Sequence, residues 1–149
     1  MYFRAVAKEK KYSFTFEEDD ISEFYLIGIC SHVPFFKLAW DINRNLDFQL
    51  ALEEKAFTVF GKKGVEFSFP YYLQRIDDDF LSIYLIKNKD KGQTLIPELQ
   101  QIDYFLFFVN NQTQNLTAIH TKLKTLDSVV LSEIYDPKKY ASTSNIIFE

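Results

Sequence analysis

The chain has 149 residues, with hydrophobic residues at 47%, charged residues at 26% and a formal net charge of −4. That length and composition suit one domain with a single substantial core, and they exclude a disordered polymer. The acidic balance, with a pI near 5.2, excludes a general phosphate-backbone binder, whose affinity rests on clustered Lys and Arg.

Residues 2–16 are mixed, with Tyr12, Phe14 and Phe16 alternating as a strand would, and residues 1–20 are expected to form a frayed or edge segment. Glu17-Glu18-Asp19-Asp20 is an acidic break. Residues 24–30 read as a buried strand containing Gly28. Ser31 is placed to cap a helix over residues 32–46, with Pro34 tolerated in its first turn. Phe35, Leu38, Ala39, Ile42 and Leu46 make its core stripe, and Lys37, Asp41 and Arg44 its solvent face. Val33, Phe36 and Trp40 make a second apolar stripe, which needs another cover. Either residues 2–16 or the tail 146–148 folds over it, or it meets a partner or a second copy.

Residues 48–52 and 56–60 read as strands. Gly61-Lys62-Lys63-Gly64 is a hairpin turn, since glycine takes positive φ without a steric penalty. Val65, Phe67 and Phe69 alternate with polar residues as far as Pro70. Asp77-Asp78-Asp79 is a break, residues 80–86 a strand and residues 87–93 a polar loop. The run Tyr104 to Val109 follows Pro97, which cannot donate to a sheet ladder and so precedes the strand; the middle of the sheet is expected here. Residues 110–114 form a turn. Asn115 or Thr113 caps a second helix with the stripe Leu116, Ile119, Leu123 and Leu126. Residues 129–135 are the last strand, ended by Asp136-Pro137.

The pattern predicts a single α+β domain over residues 1–149. Residues 24–52 and 104–134 share one plan: two βαβ-like units joined by a β-hairpin region, helices packed on one face of a mainly antiparallel or mixed sheet. By analogy the arrangement is ACT-like or ferredoxin-like.

Ile96-Pro97-Glu98-Leu99-Gln100-Gln101-Ile102-Asp103-Tyr104 resembles the signature of the IPExxxVDY family, uncharacterised bacterial proteins of the Bacteroidetes type, with Ile102 in the Val position. The likeness runs from Ile21 to Ile134, through residues 24–29 and Lys37-Leu38-Ala39. The resemblance implies a bacterial, cytoplasmic protein and carries no catalytic residue across. The cytoplasm also agrees with a lone Cys30, with no signal-type apolar core after Met1, and with apolar runs far short of a membrane span.

Candidate chemistry is sparse. Cys30 and His32 put a thiol and an imidazole at a strand-to-helix corner, but Cys30 ends an apolar strand and no orienting third residue is evident, so a structural thiol is expected. A structural zinc wants four Cys or His ligands, and Cys30, His32 and His120 are too few. Asp77-Asp78-Asp79 lacks the glycine-punctuated spacing of a calcium loop. The four glycines match no phosphate-cradling motif. His120 reads as a boundary or core histidine. Glu98, Asp103 and Tyr104 either line a pocket at the entry to the core strand or are satisfied locally.

The expectation is therefore a non-catalytic cytoplasmic protein without cofactor or metal, a protein-interaction or homodimeric module. Val33, Phe36 and Trp40 are its candidate partner surface, with no nucleic acid or membrane as partner. The alternative is an ACT-like small-ligand-binding regulatory domain. An enzyme using Cys30/His32 or Glu98/Asp103 ranks last.

Overall fold

The computed structural model describes residues 24–148. The elements in order are β1 (Phe24–Cys30), α1 (Phe35–Leu46), β2 (Ala51–Leu52), β3 (Phe57–Phe60), β4 (Glu66–Phe69), β5 (Tyr71–Ile76), β6 (Leu81–Lys87), β7 (Lys89–Asp90), β8 (Gln93–Thr94), β9 (Tyr104–Val109), α2 (Leu116–Leu123) and β10 (Leu131–Tyr135). The fold is α+β. The expected edge strand at residues 2–16 and the acidic break at 17–20 lie outside the described residues.

β9 owes its position to its composition. Every residue of Tyr-Phe-Leu-Phe-Phe-Val is buried, and a strand apolar on both faces belongs inside a sheet covered on both sides. It pairs antiparallel with β1 on one side and β6 on the other. The whole order is β10-β1-β9-β6-β5-β2, with each of these pairings antiparallel.

The paired βαβ expectation needs one correction. β2 does not return beside β1; it pairs with β5 at the far edge of the sheet. The strand that completes the first crossover is β6. Strands β1, β6, β9 and β10 with α1 and α2 trace the β-α-β-β-α-β path in the spatial order fourth, first, third, second, which is the split βαβ arrangement. β5, absent from the sequence reading, extends the sheet outward.

Side chains alternate about the sheet plane and so build two cores. Ile27, Ile29, Ile83, Leu85, Leu106 and Phe108 face the helices, meeting Leu38, Ala39 and Ile42 of α1 and Ile119 and Leu123 of α2. Both helices therefore cover one face, as expected. Leu26, Tyr84, Ile86, Phe105 and Phe107 face the other way, beneath Phe57, Val59 and Phe69 of the β3–β4 hairpin, the 95–102 stretch and Ile146. Phe148 closes this layer against Phe24, Phe57, Tyr84 and Phe107 at centroid distances of 4.6–5.5 Å. The tail therefore lies on the face opposite the helices and does not cover α1.

The loop over residues 87–93 contains more order than its polarity suggests. β7 and β8 form a small hairpin turned by Lys91 and Gly92, both at positive φ. Asn88 precedes it and is fully buried. Its N–H donates to the Asp103 carbonyl at 2.9 Å, and its own carbonyl accepts from Leu95 at 2.7 Å. Its Oδ1 accepts from Ile96 N at 2.9 Å. Its Nδ2 donates to the carbonyls of Leu99 at 3.1 Å and Ile102 at 2.8 Å. This one amide ties down the Ile96–Tyr104 stretch from within.

Candidate functional site

α1 begins later than expected. Its N-cap is Pro34, which has no side-chain capping bond. Ser31 is not the cap; its Oγ accepts from Val33 N at 3.2 Å in the approach to the helix. Val33 is thus outside the helix and half-buried against the helix-side core. The helix end is tied down instead by Asn43, whose side chain exchanges two hydrogen bonds with the Leu50 backbone at 2.9 and 3.0 Å.

The second apolar stripe divides accordingly. Val33 packs inward, while Phe36 is 68% exposed and Trp40 51% exposed on the outer face of α1. Lys37 Nζ lies 4.6 Å from the centroid of a Trp40 ring and the Arg44 guanidinium 5.1 Å from one. Both are cation–π distances, and at an exposed site each is worth about 0.5–1 kcal/mol. The outer face of α1 is therefore aromatic and positive.

Asp41 does not belong to the solvent face. Its carboxylate is 14% exposed and pairs with Lys37 at 3.0 Å. It also accepts a hydrogen bond from the Ser128 hydroxyl. A cleft of about 460 Å³ lies here between α1 and the residues after α2, lined by Lys37, Asp41, Asn45, Thr125 and Ser128 among others. Its central acid is already engaged by two protein partners.

The residues of the IPExxxIDY stretch do not converge. Glu98 faces the C-terminal tail, accepting from Ser142 N at 3.1 Å and from the Ser142 hydroxyl. The hydroxyl bond chiefly holds its carboxyl below the ordinary range. Asp103 points elsewhere, accepting from Ser31 N at 3.0 Å and pairing with Lys89 at 3.5 Å. Tyr104 stacks on Phe35 with a centroid distance of 4.9 Å, and burial, with Asp103 second, pushes its hydroxyl pKa up. Each of the three is occupied locally by a different partner.

Cys30 donates its thiol proton to the Gln101 carbonyl at 3.4 Å. Burial first, and the Asp103 carboxylate second, push its thiol pKa up, away from the lowered value a nucleophile requires. His32 is exposed. Among the described residues no group of three His, Cys, Asp or Glu side chains is placed to hold a metal ion.

His120 has a role that only the register reveals. The Cys30 carbonyl faces β10, where it accepts from Val130 N at 2.8 Å. Alternation along β1 then points the backbone of Leu131, Glu133 and Tyr135 inward and that of Ser132 and Ile134 outward. The His120 imidazole Nε2 sits 2.7 Å from the Ser132 carbonyl, which can only accept, so the ring nitrogen donates. Among the described residues β10 is an edge strand of the sheet, and the histidine covers part of that edge, the kind of protection exposed edges need.

These features define an α+β protein whose sheet is packed on both faces and whose first helix presents an aromatic, cationic outer surface. The chain matches no family model, no curated protein and no solved structure. No helix among the described residues is long and apolar enough to cross a membrane.

Proposed function

We propose that the chain is a non-catalytic protein-interaction module, cytoplasmic and of the IPExxxVDY type, that engages its partner through the outer face of α1. The observation that carries this reading is the exposure of Phe36 and Trp40 beside Lys37 and Arg44. Large aromatics beside a cation are the usual anchors of an interface. A second copy suits the face poorly. An antiparallel pairing of two α1 helices about Trp40 brings Lys37 near Arg44 of the other copy, and a parallel pairing sets like residue against like. Either way cations meet cations, so the complementary partner is acidic and apolar.

The ACT-like reading has the cleft beside Asp41, but Lys37 and Ser128 already occupy that carboxylate. Thiol chemistry at Cys30 is opposed by its raised pKa.

The test is a titration of the full chain with a synthetic peptide alternating Phe and Asp, followed through the emission of Trp40, the single tryptophan. A saturable shift that disappears in Lys37→Glu/Arg44→Glu is expected. A shift that a Lys-for-Asp peptide reproduces, or that survives the double reversal, overturns the reading.

A further inference from the structure

Cations meet cations only where one α1 faces another. The acidic and apolar chemistry that the α1 face calls for is present elsewhere on the chain, at the turn between β5 and β6. Residues 74–82 contain three Asp and one Arg, so the turn is net negative, and Asp77 and Asp78 are exposed. Beside them Phe80 is 80% exposed, the highest value among the described large apolar side chains.

The backbone singles out this ring. Phe80 sits at φ 55° and ψ 20°, with its N–H donating to the Asp77 carbonyl at 3.2 Å. Left-handed backbone is rare for a bulky side chain, and such strain collects at binding and switch sites. A glycine would make the same turn at ease, and neither core uses the ring. The turn therefore holds an aromatic side chain out in water, next to two carboxylates.

The turn and the helix face do not meet within one copy. Ser82, just past the turn, pairs with Val109, which pairs with Phe24 at the start of β1. The turn thus lies beyond that end of the strands. α1 turns Leu38, Ala39 and Ile42 to the sheet, while Phe36, Trp40 and Arg44, spaced four apart, share the side that looks away from it. Arg44 has no carboxylate partner among the described residues. Lys37, paired with Asp41, has three donor hydrogens and so can serve a second acid. Phe36, Trp40 and Phe80 are all exposed in a single copy, which leaves the two chemistries to be matched between copies.

We propose that the α1 face receives the β5–β6 turn of a second copy of this chain, with Phe80 seated against Phe36 and Trp40, and Asp77 and Asp78 against Arg44 and Lys37. This names the partner of the docking reading above, on which it rests. Opposite charges meet across the contact, and an aromatic anchor enters an aromatic site. Each copy carries both halves, so copies join turn to helix, by exchange across a two-fold or head to tail.

The experiment follows the full-length chain by light scattering and Trp40 emission from about 1 mM down to about 1 μM, a span that reaches weak contacts. At the top of the series the mean mass is expected to be at least about twice that of one copy, with Trp40 emission moving in step. Phe80→Gly, which suits the backbone, is expected to keep the urea midpoint and to lower the association constant at least about tenfold. Asp77→Asn/Asp78→Asn is expected to weaken association in the same direction, and Lys37→Glu/Arg44→Glu to abolish it. Phe80→Gly mixed with Lys37→Glu/Arg44→Glu is expected to associate where neither does alone and to stop at the 1:1 pair, because one supplies the helix face and the other the turn. Association unchanged by Phe80→Gly, or a mixture as monomeric as its components, overturns the proposal. A chain that stays monomeric throughout while Trp40 still responds to the Phe–Asp peptide also overturns it and leaves the docking reading standing. No response to the peptide in Phe80→Gly, whose helix face is free of the turn, removes the docking reading and the proposal with it.

Discussion

Asn88 is the residue on which the 95–103 stretch depends. It has 0% exposure, and its side chain serves Ile96 N and the carbonyls of Leu99 and Ile102. A buried backbone group left without a partner costs about 1–3 kcal/mol. Asn88→Ala orphans Ile96 N and the Ile102 carbonyl, while the Leu99 carbonyl keeps its bond from Ile102 N at 3.0 Å, so a loss on the order of 2 kcal/mol or more is expected, read as a lower urea midpoint at unchanged slope. Asn88→Asp is the sharper probe. It keeps the acceptor for Ile96 but turns a carboxylate oxygen toward two carbonyls. Burial and that repulsion disfavour the charged form, so the folded pKa of the new acid rises above the unfolded value of about 3.9. The protonated form then supports the fold, and this support is lost as pH rises through the folded pKa. The deficit relative to the unmodified chain at the same pH is expected to be large at pH 7 and smaller near pH 4.5. Equal deficits at both values would remove Asn88 from its central role. The sequence does not mark this residue, because one polar side chain in a polar stretch is ordinary and its partners lie 8–14 residues away at no regular period.

Elements were legible where one period dominated. The core stripe of α1, the stripe of α2, the β9 run and the Asn115 cap, which accepts from Ala118 N at 3.1 Å, all follow from local pattern. β5 was not legible. Its flanking signals, Pro70 and Asp77, were present, yet both of its faces carry partly buried aromatics and Gln74 sits beside Arg75, so no alternation appears. The two-residue β2 could not be paired from sequence, because its partner depends on how far α1 carries the chain across the sheet. Gly28 shows an element-scale constraint that periodicity does not contain. A Cβ there would meet Tyr135 at 2.6 Å, Ile102 at 3.1 Å and Phe105 at 3.2 Å. The glycine lets β10 and the 95–103 stretch close over β1. Gly28→Ala is expected to cost about 1–3 kcal/mol by overpacking, measured by chemical denaturation. Restoration by a second substitution, Tyr135→Leu, would assign the cost to the ring; a deficit unchanged by it would point to the backbone instead.

At the scale of the molecule, the two sides of the sheet are closed by different means. Helices close one side and carry a period; the other is closed by a hairpin, the 95–102 stretch and the tail, which carry none. The high aromatic content finds its use there, in the rings of Phe24, Phe57, Tyr84, Phe107 and Phe148. The tail is fastened polar-side by Ser142 on Glu98 and apolar-side by Ile146 and Phe148. The folded pKa of Glu98 is lowered, chiefly by the Ser142 hydroxyl. Its stabilising contribution is therefore present above the unfolded carboxylate value of about 4.3 and is lost as pH falls through the folded pKa. Glu98 is exposed, so the effect on global stability is below about 1 kcal/mol, and the place to see it is local. Thr143 N bonds the Tyr140 carbonyl and Ile146 N bonds that of Thr143, each at 3.1 Å. After correction for the intrinsic pH dependence of exchange, protection of these two amides is expected to fall on acidification below the carboxylate range. In Glu98→Ala it is expected to be low already at pH 7, while the amides of β9 stay protected in both. If the tail amides of the unmodified chain keep their protection through that range, Ile146 and Phe148 hold the segment by packing alone.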